Sequence, residues 1–300
     1  MKQLVSLFFV FAALSVQAQS IKLEFKPVKG VEYPVSMEVN QTMTLIVPGM
    51  GNVVTQTDQT IGAVVTLAEE VELGYLVEAR LTRMTVKAEG QGQSQVFDSE
   101  GEDIMSQAIK SMMGKPMKMV ISRRGEVLEQ MPVEEAFYTE ADSILATQYA
   151  RRRREQTMEQ IKQLFSQNTI KSVVQAGLTK FPDREMTIPS VWTDEEPSEE
   201  LSAIVTVQQR LTQLSGNRAS MTAKSVIMPD PNAKKPETAQ RMEQLSGNGE
   251  GTSVIDIQSG WVIESSGTQS LRGELVVEQA GQVQSIDLTM EVKVKTIGKQ

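Results

Sequence analysis

Ser285-Ile286-Asp287-Leu288-Thr289-Met290-Glu291-Val292-Lys293-Val294-Lys295 decides the fold class. Successive side chains of an extended chain point to opposite faces. Ile286, Leu288, Met290, Val292 and Val294 therefore share one face, and Asp287, Thr289, Glu291, Lys293 and Lys295 share the other. An alternation this clean predicts an antiparallel sheet with one dry face and one wet face.

The same code recurs toward the N-terminus. Ala203, Val205, Val207 and Leu211 alternate, Ser215-Gly216-Asn217 turns the chain, and Ala219, Met221, Ala223 and Ile227 return. In the first half, Val35, Met37, Val39, Met43, Leu45 and Val47 lie on one face. A turn at Pro48-Gly49-Met50-Gly51-Asn52 follows, then Ile61, Ala63, Val65 and Leu67, then Val71 through Leu81. The phase slips before Met84, Val86 and Ala88, which predicts a β-bulge or bend near Thr82-Arg83, because a one-residue slip turns every later side chain over. Two stretches read as tight hairpins with glycine at a positive-φ position: Val120–Leu128 around Gly125, and Val254–Ile263 around Gly260.

Between the two β-rich stretches the period changes to helical. Met158, Ile161, Leu164 and Phe165 have helical spacing, as do Ile170, Val173, Val174 and Leu178, and Phe181-Pro182 ends the region. A shorter helix over about Ile104–Met113 stops at Gly114, and Pro116 prevents its continuation. The expected fold is mainly β (α+β): two antiparallel β-sheet lobes joined by a helical segment. The boundaries are a signal peptide at 1–18, a first β-rich lobe at 19–132, a helical connector at 133–181 and a second β-rich lobe at 182–300.

Met1-Lys2 gives a basic start, Leu4–Leu14 an apolar run broken only by Ser6, and Val16-Gln17-Ala18 small residues at the −3 and −1 positions of a cleavage site. The run is too short to span a hydrocarbon core of about 30 Å. The chain has no cysteine, so the reading excludes a lipid anchor on an N-terminal cysteine and any disulfide. The expectation is a periplasmic or extracellular protein, exported on a cleavable leader and not membrane-spanning afterwards. Its net charge of −8 argues against nucleic acid, whose phosphates need basic surface.

The layout resembles a family of secreted bacterial proteins classified only as a domain of unknown function. Four elements carry the resemblance: Gly30-Val31-Glu32-Tyr33, Met113-Gly114-Lys115-Pro116 before the Gly125 hairpin, Ile188-Pro189-Ser190-Val191-Trp192, and Asp256-Ile257-Gln258-Ser259-Gly260-Trp261. The family implies no activity and no catalytic residues. A curved antiparallel sheet with helices against it is also similar, at the level of fold, to periplasmic lipoprotein carriers.

Missing residue types narrow the chemistry. Without histidine there is no Ser-His-Asp triad, and without histidine and cysteine there is no ordinary zinc site or thiol nucleophile. Carboxylates are plentiful at Glu69-Glu70, Asp194-Glu195-Glu196 and Glu199-Glu200, where they read as solvated acidic loops. A carboxylate-based hydrolase is the weaker alternative, since aromatic platforms for sugars are sparse. Asp98–Asp103 lacks the spacing of a calcium loop and reads as a turn whose acids favour the helix after it. Pro48–Asn52 and Gly247–Gly251 lack the phosphate-loop ending and read as hairpin tips. Arg151–Arg154 reads as a solvated helix face with an Arg151–Glu155 pair.

Methionine is the remaining anomaly, at 17 residues. Met105, Met112, Met113, Met117 and Met119 cluster in one passage, and Met50 stands in an apolar hairpin tip. Thioethers fill core gaps, line adaptable apolar pockets and bind copper(I). These six are the candidate ligand-binding residues. No catalytic residue, metal site or cofactor is expected. The functional expectation is a non-enzymatic protein binding a lipid or other apolar small molecule on a methionine-rich sheet surface; the alternative is a structural or assembly protein that binds another envelope protein.

Overall fold

A computed structural model describes residues 20–198, 201–233, 240–279 and 282–298; the signal peptide reading and Glu199-Glu200 lie outside these. The chain is mainly antiparallel β. In order come β1 (Glu32–Val47), β2 (Gly51–Val71), β3 (Gly74–Gly90), β4 (Gln93–Asp98), α1 (Ile104–Lys110), β5 (Pro116–Ile121) and β6 (Val127–Gln130). A 3-10 turn over Glu135–Tyr138 leads into α2 (Thr139–Ala146), α3 (Arg151–Leu164) and α4 (Gln167–Ala176). The second β-rich stretch holds β7 (Ser190–Ser198), β8 (Ala203–Ser215), β9 (Arg218–Pro229), β10 (Gln240–Asp256), β11 (Val262–Gln279) and β12 (Gln282–Gly298).

All twelve strands belong to one sheet, in the order β6-β5-β3-β2-β1-β12-β11-β10-β9-β8-β7, with β4 paired to β3. The two expected lobes are the two halves of this sheet. They meet where β1 pairs β12, in a register that sets Val39 opposite Val294 and Met43 opposite Met290. The phase slip lies at Thr82: Gly62 pairs Arg83 while Ala63 pairs Leu81. Gly125 and Gly260 both sit at positive φ in their hairpins, at +83° and +71°.

Three segments depart from the sequence reading. Glu69-Glu70 is no loop but the end of β2, where Glu69 pairs Leu76 and Glu70 pairs Tyr75. Gly247–Gly251 is no hairpin tip; it runs through the middle of β10. Gly247, Gly249 and Gly251 occupy alternate positions on the dry face, and a Cβ on Gly247 would lie 2.1 Å from the Ser270 carbonyl oxygen. The glycines mark a crowded bend between β10 and β11, where a side chain has no room. Asp194-Glu195-Glu196 is likewise no loop but part of the edge strand β7. Alternation puts Asp194 and Glu196 on the face toward Lys180 and Glu195 on the other, with Asp194 half-buried and Glu196 exposed, which a count of acidic residues cannot show.

α4 packs on the dry face of the first half. Ile170, Val173 and Val174 are fully buried in one cluster with Tyr33, Val35, Met37, Ile61 and Val65. Gly177, just after α4, lets the Trp261 indole against the backbone, since a Cβ there would sit 2.3 Å from the ring. Trp261 is clasped by Tyr33 (5.6 Å between ring centroids) and Phe25 (6.1 Å), and its indole N–H donates to the Pro34 carbonyl at 3.2 Å.

The sheet curls until its two edge regions meet through residues 179–181. The Phe181 N–H donates to the Arg124 carbonyl at 2.9 Å, and the Arg124 Nε–H donates to the Phe181 carbonyl at 2.8 Å. On the other side the Trp192 indole N–H donates to the Lys180 carbonyl at 3.2 Å. This seam ties the β5–β6 turn to β7.

Candidate functional site

The register places the same face of the sheet in two settings. Under α4 it is closed. Beyond α4 the dry face continues across β12, β11, β10, β9 and β8 and forms a trough. Its floor is the row Val294, Gly267, Gly251 and Ala223, which are cross-strand partners in sequence. The next row outward is Val292, Gln269, Gly249, Ser225 and Val207. Val292, Val294, Met290 and Val207 are half-buried. Farther out, Ile227, Leu271 and Met290 gather with Ala203 and Val205 in a small apolar cluster of their own.

Two adjoining cavities occupy this trough and share Ala223, Gly251, Gly267 and Val294. The deeper, about 350 Å³, runs under the end of α4 to Leu178, Lys180 and Gln209. The outer, about 240 Å³, reaches Val207, Gln269 and Val292. A larger groove of about 660 Å³ lies on the wet face, where Lys224, Glu250, Thr268, Lys293 and Lys295 stand in solvent. Polar side chains frame it, so the trough is the better setting for an apolar guest.

Lys180 borders the deep end. Its ammonium lies 2.6 Å from Glu126 and 3.5 Å from Asp194, and it also binds Glu196. Burial by itself would lower its pKa; hydrogen bonds to Glu126 and Glu196 outweigh burial and hold the pKa above a lysine's usual value. Arg124 adds a contact to Asp194 at 3.6 Å. Glu126 and Glu196 spend their charge on the seam, whereas Asp194 engages only Oδ1 and its Oδ2 is buried without a hydrogen-bond partner. Among the described residues no group of three or more acidic side chains is placed to hold a metal ion.

The six methionines singled out by sequence divide sharply. Met105, Met112, Met117 and Met119 are buried in the main core with Ile109 and Tyr138, and Met113 packs against that core half-buried. None of the five lines either cavity of the trough. Met50 stands at the β1–β2 tip, 74% exposed, flanked by exposed Ile46 and Val54. Val207, Ala223, Val292 and Val294 were visible as strand positions, whereas Gly249 and Gly251 were read as a hairpin tip. Met43 and Met290 were visible as members of an apolar face. Their pairing across β1 and β12 depends on a register that no local pattern states.

Elsewhere the acids and bases act locally. The Asp103 carboxylate caps α1, accepting from the Met105 N–H at 2.9 Å and the Ser106 N–H at 3.0 Å. Arg151 pairs with Glu155 at 2.9 Å, and Arg153 lies over the Tyr149 ring at 4.2 Å.

The model of one protein family matches residues 73–262, which run from the β2–β3 turn to the start of β11. The chain belongs to DUF6263, a family of unknown function. No curated protein matches it. Among solved structures, one of lipid–protein interactions in lipovitellin is 13% identical with a TM-score of 0.48, covering 92% of this chain and 26% of that one. This chain thus spans about a quarter of the lipovitellin chain. DynF from the dynemicin biosynthesis pathway of Micromonospora chersina is 8% identical at a TM-score of 0.24, covering 94% and 86%. Pseudomonas aeruginosa OccK5 is 7% identical at a TM-score of 0.24, covering 91% and 100%. Among the described residues no helix of this DUF6263 member is long and apolar enough to cross a membrane.

Proposed function

We propose that this protein is an exported, non-enzymatic binder of an apolar chain, which it holds in the trough beyond α4. One observation carries the reading. The dry face of β12 continues past the helix as Val294 and Val292, and these side chains are left half-buried around open cavities. A folded chain gains by covering such a face, and each methylene of a guest buried there contributes about 0.8 kcal/mol. The Met1–Ala18 leader supports export to the periplasm or beyond. No catalytic constellation is needed for such a role, and the missing histidine and cysteine agree with it.

Native mass spectrometry of the protein purified gently from its source, together with titration of a fluorescent fatty-acyl probe, tests the proposal. Co-purified lipid and saturable probe binding that weakens at least tenfold in Val292→Glu are the expected results. Absence of both bound lipid and probe binding overturns it. A second reading rests on the exposed Met50 tip with Ile46 and Val54, which suits contact with another envelope protein. A stoichiometric protein partner lost on Met50→Asp would favour that reading instead.

A further inference from the structure

Resting on the apolar-chain reading, we infer that the deep end of the trough takes an uncharged polar head, a hydroxyl or amide, of a single-chain amphiphile and disfavours an anionic one. The trough changes character along its length. Its outer part sets Val207 and Val292 beside Ser225 and Gln269, whereas Gln175, Gln209, Ser253, Ser265 and Thr296 join Leu178 and Val262 in lining the deep cavity. Gln209 and Thr296 are built into the wall, 9% and 1% exposed. The Gln209 amide N–H donates to the Lys180 carbonyl at 3.4 Å, and its amide oxygen makes no hydrogen bond among the described residues. A guest that lays its tail along Val294 and Val292 brings its head to these neutral donors and acceptors. A buried polar head needs such partners, because an unmet one costs about 1–3 kcal/mol.

The charge balance selects among heads. Lys180 is the cation lining the deep cavity, and three carboxylates already surround it: Glu126, Asp194 and Glu196. Arg124 is engaged with Asp194. A carboxylate or phosphate head would meet no free ammonium there and would be desolvated beside excess negative charge. A hydroxyl or amide head carries neither penalty.

The test compares monolauroylglycerol with laurate, two ligands of one chain length, by isothermal titration at pH 8 on the full mature chain and below their micelle concentrations. Monolauroylglycerol is expected to bind at least tenfold more tightly. Glu196→Gln, which removes one carboxylate from around Lys180, is expected to raise laurate affinity and narrow that gap. Gln209→Leu is expected to weaken monolauroylglycerol several-fold; if that variant fails to fold, Ser265→Ala takes its place. Laurate binding as tightly as monolauroylglycerol, or a gap unmoved by Glu196→Gln, overturns the head-group inference while the apolar-chain reading stands. Binding of neither ligand overturns both.

Discussion

The first half of the sheet and the second half are written in the same alternating code, yet one is a core and the other a trough. Ile61, Val65 and Val77 are fully buried because α4 and the α1–α2 region press on them. Val292, Val294 and Val207 hold equivalent positions on the same face and remain half-buried. A dry face in the sequence thus states only that something must cover it. Which part is covered by the chain itself depends on where one helix lands. The second half also carries a glycine row, Gly247, Gly249, Gly251 and Gly267, that removes side chains where the strands crowd and leaves space above the floor.

Side-chain truncation gives the most direct way to break this comparison. Met119→Ala, at a fully buried position, is expected to cost about 3 kcal/mol in denaturant unfolding. Val292→Ala, in the trough, is expected to cost less than about 1 kcal/mol and to weaken acyl-probe binding instead. Equal losses of stability would mean that the trough is core in solution.

The seam is the next lever. Lys180→Met leaves Glu126, Asp194 and Glu196 without their shared ammonium and is expected to destabilise by about 2 kcal/mol, below the cost for a fully buried network because Lys180 is partly exposed. The pH dependence has a definite sign. The pKa of Lys180 is higher in the folded chain than the usual 10.5, so its contribution is complete below pH 10.5 and is lost as pH rises through the folded value. Urea midpoints from pH 8 to 11.5 should fall faster at the alkaline end for the wild type than for Lys180→Met.

A modest effect is expected at the cap of α1, which helps hold the cover over the first half. Asp103→Ala is expected to cost about 1 kcal/mol. A hydrogen bond from Ser106, followed by backbone N–H groups, keeps the Asp103 pKa below the usual carboxylate value, against a raising effect of burial. Its stabilisation is therefore present above about pH 4 and is lost as pH falls through the depressed value. Acid unfolding of the variant should lack that component of the wild-type profile.

The strands, the bulge at Thr82, both glycine hairpins and the helical segment were legible, because each depends on neighbours a few residues away. The glycines of β10 and the acids of β7 were misread for the opposite reason. Gly247 is explained by the carbonyl of Ser270 on the next strand, and Asp194 by a lysine and an arginine brought in from two other segments. The methionine passage from Met105 to Met119 was conspicuous as composition, but the fold spends it on packing.

By itself the sequence determined the alternation of dry and wet faces and the chemistry ruled out by the missing histidine and cysteine. Tertiary structure decided that both halves share one sheet through β1 and β12, that residues 179–181 close its edges, and that the dry face is covered only in part. The physical reason is range. Alternation and turn chemistry act over a few residues, whereas register between strands 250 residues apart, and the reach of one helix across them, are settled only when the whole chain packs.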